Sequence, residues 1–126
     1  MATFSVEVVS AESQVLSVEA EAVYARSMDG EIGILPKHQP VLLALDIAPV
    51  TVVTPSEKIE LAVHNGFLYY SDDELVVLAD IAELASDIDP DRARAERDRL
   101  ERDEDREEAI VDASFKRQSV RLSLVE

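Results

Sequence analysis

The 126-residue sequence predicts a mainly β chain with added α: an N-terminal antiparallel β-sandwich followed by a C-terminal two-helix hairpin. Three observations carry this expectation. Apolar and polar residues alternate with the period of two that marks half-buried strands as far as about Ala82. From Asp91 to Leu124 there is neither glycine nor proline, so nothing there breaks a helix. Charge divides at the same place: residues 1–86 hold three bases and fourteen acids (net −11), and residues 87–126 hold nine bases and thirteen acids (net −4). The expected domains are therefore 1–86 and 87–126.

The elements follow in order. Phe4, Val6 and Val8 alternate with Ser5 and Glu7, predicting a strand with one buried face. Val18 to Ala22 alternates again, with Glu19 and Glu21 toward solvent. Val50 to Val53 follows a proline, and Pro55-Ser56-Glu57-Lys58 reads as a turn. Ile59, Leu61 and Val63 then alternate with Glu60 and Ala62, and His64 reads as a structural strand residue. Asn65-Gly66 predicts a type I′ hairpin, since both residues tolerate positive φ. Phe67 to Ser71 is the next strand, with Tyr69 and Tyr70 on opposite faces. Asp72-Asp73 is a further turn, and Leu75 to Leu78 is apolar throughout. Many short strands at this spacing indicate a sandwich or barrel.

The strands end near Ser86. Asp89-Pro90 starts a helix, the aspartate capping free amides and the proline tolerated at the first helical position. Residues 87–108 contain eleven acids and six arginines, with opposite charges four apart at Arg92–Glu96, Arg94–Asp98, Arg97–Glu101 and Asp98–Arg102. The apolar stripe is thin: Ala93, Ala95 and Leu100. A second helix is expected from about Glu104 to about Leu122, with Ala109, Ile110 and Ala113 on one face and Val111, Phe115 and Leu122 on another. The two segments form either a hairpin turning near Asp103 or one long rod, and no breaker chooses between them. Thin stripes bury little area, so this region is expected to be less stable than the strands and able to detach from them.

Composition narrows the function classes. A net charge of −15 repels phosphate backbones and anionic headgroups, which disfavours nucleic-acid or membrane-surface binding. No cysteine is present, removing disulfides and thiolate chemistry. No apolar run approaches spanning length, and the start lacks a signal peptide's basic and apolar regions. The three glycines, Gly30, Gly33 and Gly66, form no phosphate-binding loop, and no catalytic triad is suggested, so no catalytic residue is assigned. His38 and His64 stand too far apart to indicate a metal site.

The densest local signal is Gly30-Glu31-Ile32-Gly33-Ile34-Leu35-Pro36-Lys37-His38-Gln39-Pro40. Two glycines and two prolines among branched apolar residues specify a backbone path. The segment reads either as a rigid docking loop or as a turn and corner that redirects a strand.

Taken with Asn65-Gly66-Phe67, Val77-Leu78-Ala79-Asp80 and a charged helical pair, that run resembles the epsilon subunits of bacterial F-type ATP synthases. The resemblance covers essentially the whole chain, in order. It implies a ten-stranded sandwich and a two-helix carboxyl-terminal domain. It also implies a non-catalytic central-stalk subunit of a proton-translocating ATP synthase, peripheral on the cytoplasmic face of the bacterial cell membrane. Its implied partners are the gamma subunit, the c-ring and the alpha and beta subunits, with the helices able to extend and restrain ATP hydrolysis. Glu31 and His38 fall where the family meets the c-ring. Ile88-Asp89-Pro90-Asp91-Arg92-Ala93 matches the family's Ile/Leu-Asp-x-x-Arg-Ala motif for regulatory ATP, with Glu83 and Arg99 where further members of that site sit. Arginines a turn apart can converge on phosphates while carboxylates accept from adenine or ribose. Capping by Asp89 and pairing of Arg92 with Glu96 explain the same residues without nucleotide. Lys116, Arg117 and Arg121 are the cations available for an acidic region of the beta subunit, or for favourable placement near a helix end. The competing reading is a free-standing β-sandwich module for a small molecule or peptide.

Overall fold

The computed structural model describes residues 2–102 and 108–125. Eight strands come first: β1 (Phe4–Ser10), β2 (Gln14–Ala20), β3 (Ala22–Ser27), β4 (Gly30–Ile34), β5 (Val41–Leu45), β6 (Ala48–Val53), β7 (Lys58–Ser71) and β8 (Glu74–Leu84). A 3₁₀ turn at Ala85–Asp87 leads to α1 (Pro90–Arg102) and α2 (Glu108–Val125).

The pairings divide the strands into two layers. One runs β2, β1, the first part of β8, the second part of β7, then β5. The other runs β4, β3, β6, the first part of β7, then the end of β8. β7 and β8 serve both layers, so eight continuous strands supply five segments to each. All pairs are antiparallel except β1 with β8, which is parallel. Between the layers lies one core. Phe4, Val6 and Val8 meet Leu68, Tyr70, Leu75 and Val77 from one side and Val23, Val50, Val52, Leu61 and Val63 from the other. The expected alternation in β1 is therefore present, with Phe4, Val6 and Val8 all buried.

The hairpin expected at Asn65-Gly66 is absent. β7 passes straight through both residues, and its register against β8 is the same before and after them, from Leu61↔Leu84 to Ser71↔Glu74. The positive φ values read from sequence are real, 58° at Asn65 and 155° at Gly66, but they bend a strand from one layer to the other instead of reversing it. A Cβ on Gly66 would lie 2.1 Å from the Leu78 carbonyl oxygen and 2.7 Å from the Ala79 Cα. Glycine is thus required by the close passage of β8 as well as by its φ. The type I′ hairpin occurs instead at Asp72 and Asp73, whose φ values are 49° and 60°.

Three smaller corrections concern strand limits. The stretch Val18–Ala22 is two strands, broken at Glu21 between the buried Ala20 and Ala22. Pro49 lies inside β6. Gly30–Ile34 is strand β4, so only the second half of the 30–40 segment is loop.

The helices form a hairpin, since α1 packs along α2; the turn near Asp103 lies outside the described residues. α2 also packs on β6 and β7, where Ile47, Ala62, Ile88 and Val120 form a second apolar cluster. This explains why Ala62, expected on the outward face with Glu60, is fully buried; His64, expected to be structural, is fully buried too. In α1 Ala93 is buried as expected but Ala95 is exposed. The side chains of Leu100, Ala109, Ile110, Val111, Ala113 and Phe115 lie outside the described residues. Arg94 pairs with Asp91 and Arg99 with Glu96, each at 2.9 Å and three residues apart.

Replacing Gly66 with alanine forces β8 away from β7 and imposes left-handed φ on a substituted residue. The expected cost is about 3 kcal/mol, read as a lower urea midpoint; an unchanged midpoint contradicts the corner as described.

Candidate functional site

Helix α1 begins as its sequence dictates. Asp89 Oδ1 accepts from the Arg92 amide at 3.1 Å, capping the first turn, while Pro90 occupies the first helical position. Ile88, just ahead of the cap, is buried in the cluster beneath α2. This anchoring sets the start of α1 beside the end of β8 and leaves a cleft of about 510 Å³ against α2. It is lined by Glu83, Asp87, Ile88, Asp89, Arg92, Ala93, Glu96, Gln118 and Arg121.

Four of the five residues picked out as a nucleotide set, Glu83, Ile88, Asp89 and Arg92, therefore converge on one cavity. Arg99 does not line it; its Nη2 bonds Glu96 at 2.9 Å on the face of α1. Gln118 and Arg121 are cleft residues that the motif did not contain. They lie at least 25 positions beyond it in sequence, so no local spacing could have marked them.

Glu83 is the junction between strand and helix. Its Oε1 accepts from Arg121 Nε at 2.5 Å and from His64 Nε2 at 3.1 Å. The carboxylate is an acceptor, so the imidazole proton sits on Nε2. His64 is wholly buried and its Nδ1 has no partner among the described residues. The hydrogen bond from His64, with help from Arg121, holds Glu83 below its ordinary carboxylate range against the opposing effect of burial. A second clamp lies further along α2, where Lys116 Nζ is 2.5 Å from Asp46 Oδ2. That bond is the main reason Asp46 is also held low. Of the cations expected to reach a partner, Lys116 and Arg121 are thus turned onto the sandwich, and the Arg117 Nε is buried without a hydrogen-bond partner among the described residues.

Glu31 and His38 lie elsewhere, at β4 and just beyond it. The Glu31 side chain is 81% exposed and 3.6 Å from Arg26. His38 is half-buried; its Nδ1 lies 2.7 Å from the Gln39 carbonyl oxygen and its ring packs edge-on against Tyr70. Glu31 lies opposite Arg26 at the start of β4 and His38 lies in the turn beyond its end, and no hydrogen bond joins them among the described residues. Gly33 in β4 is covered by the Tyr24 ring, which would sit 2.9 Å from an added Cβ.

A third feature was not picked out from sequence. Leu42, Phe67, Tyr69 and Leu78 are each at least half exposed and sit side by side on β5, β7 and β8, with Leu42 opposite Tyr69 and Phe67 opposite Leu78. The sequence marks strands at Phe67–Ser71 and at the wholly apolar Leu75–Leu78, but the strand that carries Leu42 is not among those read from it, so the shared outer face could not be seen.

Both clamped carboxylates have lowered folded-state pKa values, so their stabilisation is present above the ordinary carboxylate range and is lost as pH falls through the lowered values. Amide protection of α2 should stay constant from neutral pH down to about pH 4 and fall in stronger acid. Arg121→Ala should lower that protection about fivefold at neutral pH, the effect of roughly 1 kcal/mol. The difference from the parent chain should vanish once Glu83 is protonated; a difference that persists in strong acid contradicts the Glu83 contact as its cause.

Comparison with known proteins fits this architecture. Residues 3–85 match the family model described as the ATP synthase delta/epsilon chain, beta-sandwich domain. The chain is 45% identical over 103 residues to the ATP synthase epsilon chain of Brevibacillus brevis, covering 81% of this chain and 78% of that one. It is 46% identical over 105 residues to the ATP synthase epsilon chain of Streptomyces avermitilis, covering 82% and 85%. A chain in the Euglena gracilis mitochondrial ATP synthase structure, which contains OSCP, F1 and the c-ring, has the same fold. Its TM-score is 0.86 at 15% identity, over 100% of this chain and 83% of that one. On the family match and these identities, the chain belongs to the ATP synthase delta/epsilon family.

Proposed function

We propose that this chain is the non-catalytic epsilon subunit of the central stalk of a proton-translocating ATP synthase. In this reading it joins the gamma subunit to the c-ring at the cytoplasmic face of a bacterial cell membrane and restrains ATP hydrolysis through its helices. Membrane contact comes only through the complex; among the described residues no helix is long and apolar enough to cross a membrane.

The observation that carries the reading is the apolar stripe of Leu42, Phe67, Tyr69 and Leu78. Four large side chains, 65%, 55%, 50% and 55% exposed on adjacent strands, are costly to leave in water and suit a permanent partner. Gamma is the partner that family membership supplies. Glu31 in β4 and Leu35 and His38 in the turn that follows are exposed or half-buried, and offer a second surface that suits the c-ring. Two surfaces on one rigid body are what a coupling element between two rotor parts needs.

The helices fit a regulatory arm. Lys116 and Arg121 hold α2 down through Asp46 and Glu83, and an extended arm would present these same cations, with Arg117, to the acidic region of beta. Docking on the sandwich and engagement with alpha and beta are thus mutually exclusive uses of the same charges. The cleft offers a means of control. Arg92 makes no ion pair with another described residue and could take phosphate, while Glu83 and Asp89 offer acceptors for base or ribose. ATP bound between α1, α2 and the end of β8 would favour the docked arm.

Removing residues 87–126 should raise membrane ATP hydrolysis severalfold while synthesis remains coupled; an unchanged hydrolysis rate confines the chain to assembly and coupling. Calorimetry of the full chain should show ATP binding that is weakened at least tenfold by Arg92→Ala. No heat up to about 1 mM ATP removes nucleotide control and leaves the arm's restraint standing.

A further inference from the structure

The turn that follows β4 contains a residue in an unfavourable place. Leu35-Pro36-Lys37-His38 closes through the His38 amide, which donates to the Leu35 carbonyl at 3.1 Å. Proline at the second position and a φ of 66° at the third make this a type II turn. The third position normally holds glycine, because only glycine takes left-handed φ without steric cost. Here it holds Lys37. Something outside the turn must select that conformation.

The partner is 36 residues away. The Lys37 amide donates to Asp73 Oδ1 at 2.9 Å, and the same oxygen accepts from the Tyr70 hydroxyl at 2.7 Å. Asp73 is itself fixed from two sides. It is the second left-handed residue of the tight β7–β8 hairpin, and its carbonyl accepts from the Ser5 amide at 3.0 Å. Tyr70 is wholly buried and packs edge-on against Phe4 at a centroid separation of 5.6 Å. Its other neighbour is His38, whose ring lies edge-on at 5.8 Å. The carboxylate thus transmits the position of the sandwich core to the turn.

We infer that Asp73 is a positioning residue for the rotor-facing end of the sandwich: its carboxylate, set by Tyr70 and the β7–β8 hairpin, fixes Lys37 in left-handed geometry and so presents Leu35 and His38 in one orientation to the c-ring. This rests on the rotor-docking reading above. The hydrogen bonds from Tyr70 and the Lys37 amide also hold the Asp73 carboxyl below its ordinary range, so the acceptor stays ionised at working pH.

The experiment has two arms and uses the full chain. In the first, amide exchange at Lys37 is measured in Asp73→Gly, which accepts the φ of position 73 but lacks the acceptor. Exchange at Lys37 should rise about tenfold while β1 and β6 amides are unchanged. Asp73→Asn, whose side-chain carbonyl still accepts, should restore protection at Lys37. Lys37→Gly added to Asp73→Gly leaves the amide of position 37 without its acceptor but should restore protection of the His38 amide, which closes the turn, because glycine needs no help to hold it. A merely structural role for Asp73 would not be rescued at Lys37.

In the second arm, Leu35→Cys is introduced into the chain, which has no cysteine of its own, and cross-linked to the ring in the assembled synthase. Yield should fall severalfold in Asp73→Gly and recover in Asp73→Asn. Unchanged exchange at Lys37, or increased exchange with unchanged cross-linking, overturns the inference and leaves rotor docking intact. Absence of cross-linking in Leu35→Cys with Asp73 intact overturns rotor docking itself, and the inference with it.

Discussion

Where β7 and β8 pass together from one layer to the other, the Leu78 carbonyl lies so near Gly66 that no side chain fits between them. That close approach is the constraint from which the rest of the molecule follows. Because both strands bend at one point and keep their register, each contributes to two sheets, and the two sheets enclose a single core. The bend turns the outer faces in different directions. The half of β7 beyond Gly66 carries Phe67 and Tyr69 into an exposed apolar stripe, while the half before it carries Ala62 and His64 under α2. One strand therefore serves a surface for a partner and a seat for the arm.

The two attachments differ in strength, and the difference has a physical origin. The sandwich is held by a continuous core of branched and aromatic side chains. Beneath the arm, the buried cluster of Ile47, Ala62, Ile88 and Val120 is small and is supplemented by two part-exposed ion pairs. Ion pairs of that kind contribute about 1 kcal/mol or less each, which under the proposed regulatory reading leaves the docked arm near the balance point that a switch requires. Glu83 is the group on which this balance converges, because strand, helix and cleft all meet at its carboxylate.

Much of this was legible in the sequence, and the exceptions share a cause. Alternation in β1 and the Asp89 cap are local patterns, and each appears where expected; the residues of the nucleotide-like motif line one cleft at the start of α1. Asn65-Gly66 was misread because positive φ at consecutive residues serves a hairpin and a strand bend equally well. Only the long-range register with β8 separates them. Asp72-Asp73 then takes the hairpin geometry, since aspartate also tolerates left-handed backbone. Burial of His64, the part of Arg121 in the cleft and the grip of Asp73 on Lys37 all join segments far apart in the chain, beyond the reach of periodicity or spacing. Arg99 was carried into the site by resemblance alone, and on α1 it faces Glu96 instead.

The central claim is that this acidic sandwich is a stalk component, made to be held permanently by other subunits. Purifying the tagged full chain from its host membranes tests it most directly. The account predicts that gamma, alpha and beta subunits are recovered with it in fixed proportion; recovery of the chain alone, from membranes that hold an intact synthase, contradicts it.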